Sequence, residues 1–260
     1  AAQRLEALLD AEGRPDIAHL HAFVYQLTPS ILDPLVRRGV PIVQTCHEYA
    51  HVCVNQHLYN ARTERPCREC LTRGRLAPLW ARCIKGSLAA SAAGAAAGVT
   101  DVLFGRSRRR IRRFFAVSQF MRGVLVAGGL PAARVFHTPN FIDPDLIAPA
   151  DGAGEFLLFL GRLTPYKGIR AFLKAAARLP EAPCKIVGTG PLESETRRAA
   201  SPNVEMLGHR EGSELWALVR RARAVVIPSE WYEPFGLVIL EAMAAGRAVI
   251  ASRLAGPAEI

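Results

Sequence analysis

Apolar runs of strand length recur through the second half of the chain, at Phe156–Leu160, Cys184–Gly188, Val204–Gly208, Ala224–Ser229 and Ala248–Ser252. Between them lie segments of helical pattern: "KGIRAFLKAAARL", "PLESETRRAA", "EGSELWALVRRA" and "GLVILEAMAAG". Short apolar strands alternating with helices predict βα units and a parallel sheet covered on both faces. Right-handed crossovers then make a doubly wound α/β fold the default. The first half follows the same grammar with interruptions. "DIAHLHAF" and "PIVQTCHE" read as strands flanking a helix within Thr28–Gly39. "RFFAVSQFMRGVLVAGGL" reads as a strand, a Ser118 cap and a helix closed at Gly128–Gly129. An irregular cysteine-bearing insert, residues 48–84, and then an Ala-rich helix separate the two parts. Phe136–Glu155 has the Pro, Asp and Gly content of an interdomain connection. The expectation is therefore two domains, 1–145 and 154–260, with a linker at 146–153. The chain opens on a helix with no strand before it and stops at "LAGPAEI", where a helix is due. A parallel sheet lacking its outer elements exposes apolar edges, so both domains are expected to be incomplete pieces of a longer protein.

Composition changes this picture little. With 260 residues, 50% of them hydrophobic and 22% charged, the chain is of ordinary globular type and long enough for two modest cores. The net charge of +10 is mostly one local feature, because six arginines fall within Arg106–Arg113 and without them it is +4. Six cysteines are too sparse for a disulfide scaffold, and no signal peptide is visible at the start. The small-apolar run Ser87–Val99 is shorter than the roughly 18 residues a membrane span needs. These features lead us to expect a cytoplasmic protein.

Candidate chemistry gathers where strands end. In a doubly wound domain, ligands bind beyond the carboxyl ends of the strands. "GRLTPYKGI" places Arg162 and Lys167 just after one strand, with Gly161 and Gly168 allowing close backbone approach. Two cations there suit a diphosphate, the guanidinium binding two oxygens and the ammonium acting as a point charge; alone, the pair reads more readily as ordinary surface charge. "GTGP", Gly188–Pro191, is either an anion cradle or a plain tight turn. "EWYEPFG" leads into a helix, with Glu233 in the loop and Glu241 in the second helical turn. The N–H groups around Phe235, Gly236 and Leu237 make an anion site between two carboxylates suited to sugar or ribose hydroxyls. Each glutamate alone reads as helix-end stabilisation or a surface charge.

The ordered motifs "GRLTPYKG", "KIVGTGP", "VEMLGH" and "PSEWYEPFGLVILEAMAAGRAVIAS" closely resemble the donor-binding domain of family 4 glycosyltransferases. "HLHAF", "TCHEY", "FAVSQFMRGVL" and "TPNFID" are similar to the acceptor-side domain and linker of that family. The resemblance implies a GT-B fold of two Rossmann-like domains facing each other, and retaining transfer of a sugar from a nucleoside-diphosphate sugar to a glycan, lipid-linked or other cell-envelope acceptor. It implies that Arg162 and Lys167 hold the diphosphate beside Gly161. Glu233 would bind donor-sugar hydroxyls, with the Phe235–Leu237 backbone beside it, and Glu241 the ribose. Leu207, Gly208 and His209 would lie near the base, and His47 in "TCHEY" would face the donor sugar. No cofactor is expected to be required for catalysis. Two departures stand out. The Gly-rich loop after the first strand is absent, and the closing motif reads "AGPAE", with Ala255 where a glycine is usual and Glu259 as its acid.

Two features fall outside the motifs. Cys53, Cys67, Cys70 and Cys83 are spaced C-x13-C-x2-C-x12-C, which resembles a four-thiolate zinc site, with His51 and His57 as competing ligands. The alternative is four reduced thiols, some packed in a core; Cys46 and Cys184 read as core residues. The arginine run reads as a solvated face, a nucleic-acid arm or a patch for anionic lipid. The lipid reading is preferred, placing the protein at the inner face of a membrane, and nucleic acid is not expected as a partner. The rival readings are a zinc-stapled nucleic-acid-binding protein and a sugar-nucleotide epimerase or phosphorylase of the same fold.

Overall fold

The computed structural model describes residues 1–23, 27–104, 106–143, 145 and 147–260, with the backbone alone over 101–104 and at 106. It divides into two compact units, Ala1–Pro139 and Asn140–Ile260.

The first unit begins with α1 (Ala2–Glu12), β1 (Ala18–Leu20), α2 (Leu32–Arg37) and β2 (Ile42–Cys46). A small lobe follows, made of the hairpin β3 (Tyr59–Asn60) and β4 (Arg65–Pro66) and the one-turn helices α3 (Glu69–Thr72) and α4 (Pro78–Ala81). The unit continues with α5 (Leu88–Phe104), α6 (Arg106–Arg110), β5 (Arg113–Ala116), α7 (Gln119–Ala127) and β6 (Val135–His137). Its four long-range strands are parallel and lie in chain order, β1-β2-β5-β6. Along β2 the buried positions Ile42, Gln44 and Cys46 alternate with half-buried Val43 and Thr45, as a period of two requires. Buried Ser118 caps α7 by accepting the Met121 N–H at 3.1 Å.

Part of the arginine run is engaged within the unit. Arg108 donates to the Gly128 carbonyl at 2.9 Å and also bonds the His51 carbonyl, and Arg110 pairs with Asp33. Arg134 in turn bonds the carbonyls of Arg108 and Arg112 at 3.0 and 3.1 Å. Much of the run therefore ties loops of this unit together, leaving Arg109, Arg112 and Arg113 exposed. The Arg106 side chain lies outside the described residues.

The second unit contains β7 (Phe156–Leu160), α8 (Ile169–Ala176), β8 (Cys184–Val187), α9 (Glu193–Ala199), β9 (Val204–Gly208), α10 (Gly212–Arg221), β10 (Ala222–Ile227), α11 (Leu237–Ala244) and β11 (Ala248–Ala251). All five strands are parallel, in the order β11-β10-β7-β8-β9. This is the Rossmann order, in which the order of strands reverses between β7 and β10 while all stay parallel. Two apolar clusters cover the two faces: Phe156, Leu158, Val225 and Ile239 in one, Phe159, Ile169, Phe172 and Ile186 in the other. Consecutive β7 residues thus feed opposite cores, which is why the strand reads as an unbroken apolar run.

The stretch expected as a linker is docked onto this unit. Ile147 belongs to its core, the Ala150 N–H donates to the Ala245 carbonyl at 3.0 Å, and Arg247 reaches the Gly152 carbonyl at 2.9 Å; Leu146 lies outside the described residues.

Candidate active site

The reversal between β7 and β10 brings the loops after these strands side by side. Gly168 stands at φ +75°, and a Cβ there would lie 1.8 Å from the Pro228 carbonyl oxygen, so only glycine lets the two loops meet. The Glu230 N–H bonds the Tyr166 carbonyl at 2.8 Å and completes the seam. Across it, Lys167 Nζ reaches Glu233 Oε1 at 2.6 Å, and Ser229 Oγ donates to Glu233 Oε2 at 2.6 Å. Lys167 Nζ also sits 5.6 Å from the centre of the Trp231 ring, which packs against Tyr166. The Glu233 carboxylate is thereby held by a cation and a hydroxyl, one on each oxygen.

The backbone of Glu233 is fixed as well. Its carbonyl accepts the Gly256 N–H at 3.0 Å, and a Cβ on Gly256 would lie 2.5 Å from the Pro234 carbonyl oxygen. Phe235 is buried, and Gly236 at φ +111° leads the chain into α11 at Leu237. Glu241 is half-buried in the second turn of α11, and burial raises its carboxyl above the usual carboxylate range. Its carboxylate makes no hydrogen bond or ion pair with the other described residues, nor does the side chain of Arg162, which is exposed.

Of the two readings of "GTGP", the packing favours a close turn. The Leu163 N–H bonds the Thr189 carbonyl at 2.9 Å, while a Cβ on Gly188 would stand 1.9 Å from the Gly161 carbonyl oxygen. Both glycines of that motif serve to lay the loop after β8 against the loop after β7, since Gly190 is pressed against Leu163 in the same way. Further along, Leu207 packs against the core, Gly208 closes β9, and exposed His209 lies 3.5 Å from Glu211.

In the first unit, His47 follows β2 and is paired. Its Nε2 lies 2.8 Å from His21 Nδ1, the two rings stacked at 5.1 Å, and His19 Nε2 lies 2.8 Å from Thr45 Oγ1. Burial, then the charges of His21 and His19, lower the His47 pKa. One imidazole donates and its neighbour accepts, an arrangement that suits neutral rings. The cysteines Cys53, Cys67, Cys70 and Cys83 line a single small cavity in the same unit. Neither His51 nor His57 lines it; His51 is turned to Gln44 at 2.7 Å.

Sequence reasoning missed Ser229, Trp231, His19 and His21. The spacing of "HLH" does place His19 and His21 on one face of a strand. Nothing local marks Ser229, whose role depends on where the loop folds back.

The family model described as Glycosyltransferase Family 4 matches residues 1–146, and that described as Glycosyl transferases group 1 matches residues 147–260. The chain belongs to glycosyltransferase family 4. Among curated relatives, it is 38% identical over 120 residues to a glycogen synthase of Mycobacterium tuberculosis, spanning 43% of this chain and 28% of that protein. It is 37% identical over 130 residues to a phosphatidyl-myo-inositol mannosyltransferase of the same organism, spanning 45% of this chain and 34% of the relative. The match therefore spans about a third or less of each relative's length. Among solved structures, Alr3699/HepE of Anabaena, crystallised with UDP and glucose, aligns with a TM-score of 0.68 at 17% identity, over 98% of this chain and 64% of that one. The likeness shows the fold, GT-B, with its two Rossmann-like units.

Proposed function

We propose that this family 4 chain carries the donor site of a retaining glycosyltransferase that uses a nucleoside-diphosphate sugar. The observation that carries the reading is the Lys167–Glu233–Ser229 cluster, which sits where the strand order reverses and a helix begins. Lys167 exchanges Glu233 for the diphosphate when donor binds, with Arg162 as the second cation. The N–H groups at Phe235–Leu237 face the same phosphate. Glu233, released by Lys167, accepts from hydroxyls of the sugar, and Glu241 accepts from the ribose. The loop Leu207–His209 borders the base. HepE's crystallisation with UDP and glucose is consistent with this donor class.

In the reaction the bond from the anomeric carbon to the phosphate oxygen breaks, and a bond to the acceptor oxygen forms on the same face. The acceptor proton passes to the departing phosphate oxygen. The charge that develops on that phosphate is met by Lys167, Arg162 and the start of α11, donors already in place before reaction. Glu233 and Glu241 bind hydroxyls and do not act as an acid and nucleophile pair. The acceptor is a glycan or a lipid-linked molecule, the latter in keeping with the name of the phosphatidyl-myo-inositol mannosyltransferase. A nucleic-acid-binding reading leaves the Lys167–Glu233–Ser229 cluster without a role.

Release of nucleoside diphosphate from a panel of donor sugars tests the proposal. Lys167→Ala is expected to lower the rate by about 10²–10³-fold, as for removal of one charge-stabilising donor, with the far-UV circular dichroism unchanged. Wild-type turnover in a folded Lys167→Ala protein, or unfolding protected by RNA or DNA and by no nucleoside diphosphate, would overturn it.

A further inference from the structure

The small lobe after β2 is built from elements of two to four residues, β3, β4, α3 and α4. Elements this short bury too little to hold themselves in place, and small lobes of this kind usually depend on a staple. At their centre lies a small cavity of about 10 Å³ lined by Cys53, Cys67, Cys70 and Cys83, with Asn55, Tyr59 and Glu69. That volume suits a single water molecule or ion. The four cysteines arrive from four separate places: the loop after β2, the end of the hairpin, α3, and the residues after α4. Their backbones are tied together around the cavity. The Cys67 N–H bonds the Leu58 carbonyl at 2.7 Å, and Asn55 Nδ2 reaches the Cys83 carbonyl at 3.5 Å as well as the Tyr59 carbonyl.

We propose that Cys53, Cys67, Cys70 and Cys83 bind one zinc ion as a four-thiolate structural site. Two observations favour this over a core of reduced thiols or a disulfide. First, four cysteines from four separate places in the chain line one cavity of ion size, and four thiolates are a complete ligand set for a structural zinc. Second, the lobe is charged to receive an anion. Residues 53–85 contain seven Lys or Arg and two Glu, a surplus that balances the two negative charges of zinc with four thiolates.

Among the described residues no group of three or more His, Cys, Asp or Glu stands in a metal-holding arrangement. The sulfurs are placed as thiols, with Cys53 Sγ donating to Asn55 Oδ1 at 2.8 Å. Gathering them on one ion requires loss of the thiol protons and rotation of the cysteine side chains inside a backbone cage that already surrounds the point. Zinc bound this way is a closed site with no open position, so its work is to hold the lobe and not to take part in chemistry. The inference stands independently of the donor-site reading, since it concerns other residues in the other unit.

The test is metal analysis of the full chain, expressed with added zinc and purified without chelator. About one zinc per chain is expected, falling to background in Cys67→Ser/Cys70→Ser. Replacement of zinc by Co²⁺ in the wild-type chain is expected to give the intense visible bands of tetrahedral cobalt thiolate, a readout that needs no variant to fold. Zinc at background in the wild type with no cobalt thiolate band would overturn the proposal, as would a Cys53–Cys70 disulfide in the intact mass of the protein.

Discussion

At Glu241 the proposed donor site and the stability of the fold pull in opposite directions. Burial without a partner raises its pKa, so the folded chain holds its proton more firmly than the unfolded chain does. Stability linked to it is therefore full below the usual carboxylate range and is lost as pH rises through the raised value. At neutral pH the charged group is a net cost to the fold. Glu241→Gln is expected to raise the unfolding temperature at pH 7 by up to a few degrees, a gain that disappears as pH falls below the usual carboxylate range. The same change removes a charged acceptor for ribose hydroxyls and should weaken nucleoside-diphosphate binding by about 10–100-fold, the equivalent of one hydrogen bond to a charged group. Calorimetry across pH and a binding titration check the two halves separately. An unchanged affinity would remove Glu241 from the site.

At the scale of elements, the second unit is organised by loops that clamp one another. The segment after β11 returns to hold Glu233 through the Gly256 N–H. To do so it passes through Ala255 at φ +55° and ψ −131°, a conformation suited to glycine, and Ala255 is buried there. Strain of this kind costs about 1–3 kcal/mol at a residue with a side chain. Ala255→Gly relieves it, and part of the gain is offset by the greater freedom of glycine in the unfolded chain. A net stabilisation of about 1 kcal/mol is expected, read as a higher urea midpoint at constant slope. A lower midpoint would mean that the alanine methyl packs well enough to outweigh the backbone strain.

For the whole molecule, two compact units with separate sheets imply separate local stabilities. Amide hydrogen exchange should resolve them. A nucleoside diphosphate is expected to protect most strongly the segments 161–168 and 229–241, which carry the clustered loops and the start of α11. A zinc chelator is expected to deprotect 53–85, because the elements there are too short to persist unaided. Uniform change across all 260 residues in both experiments would contradict independent cores and separate sites.

The strand and helix alternation of the second half is legible because its period is local, set by side chains two or three to four residues apart. Lys167, Glu233 and Glu241 are likewise marked by their positions at strand ends and helix starts, and the ordered motifs carry the family. The order β11-β10-β7-β8-β9 decided what local patterns do not contain: that the loops after β7 and β10 are neighbours, and that Ser229 completes the hold on Glu233. It also assigned Gly188 and Gly190 to close packing of loops, which spacing alone left open. In the first unit, the turns of the small lobe brought four distant cysteines to one cavity, and pairing of β1 with β2 brought His21 to His47. Sequence by itself determined which residues face a core and which begin or end an element, because those choices follow from neighbours along the chain. Tertiary structure alone decided which loops meet, because crossovers join residues that no local period relates.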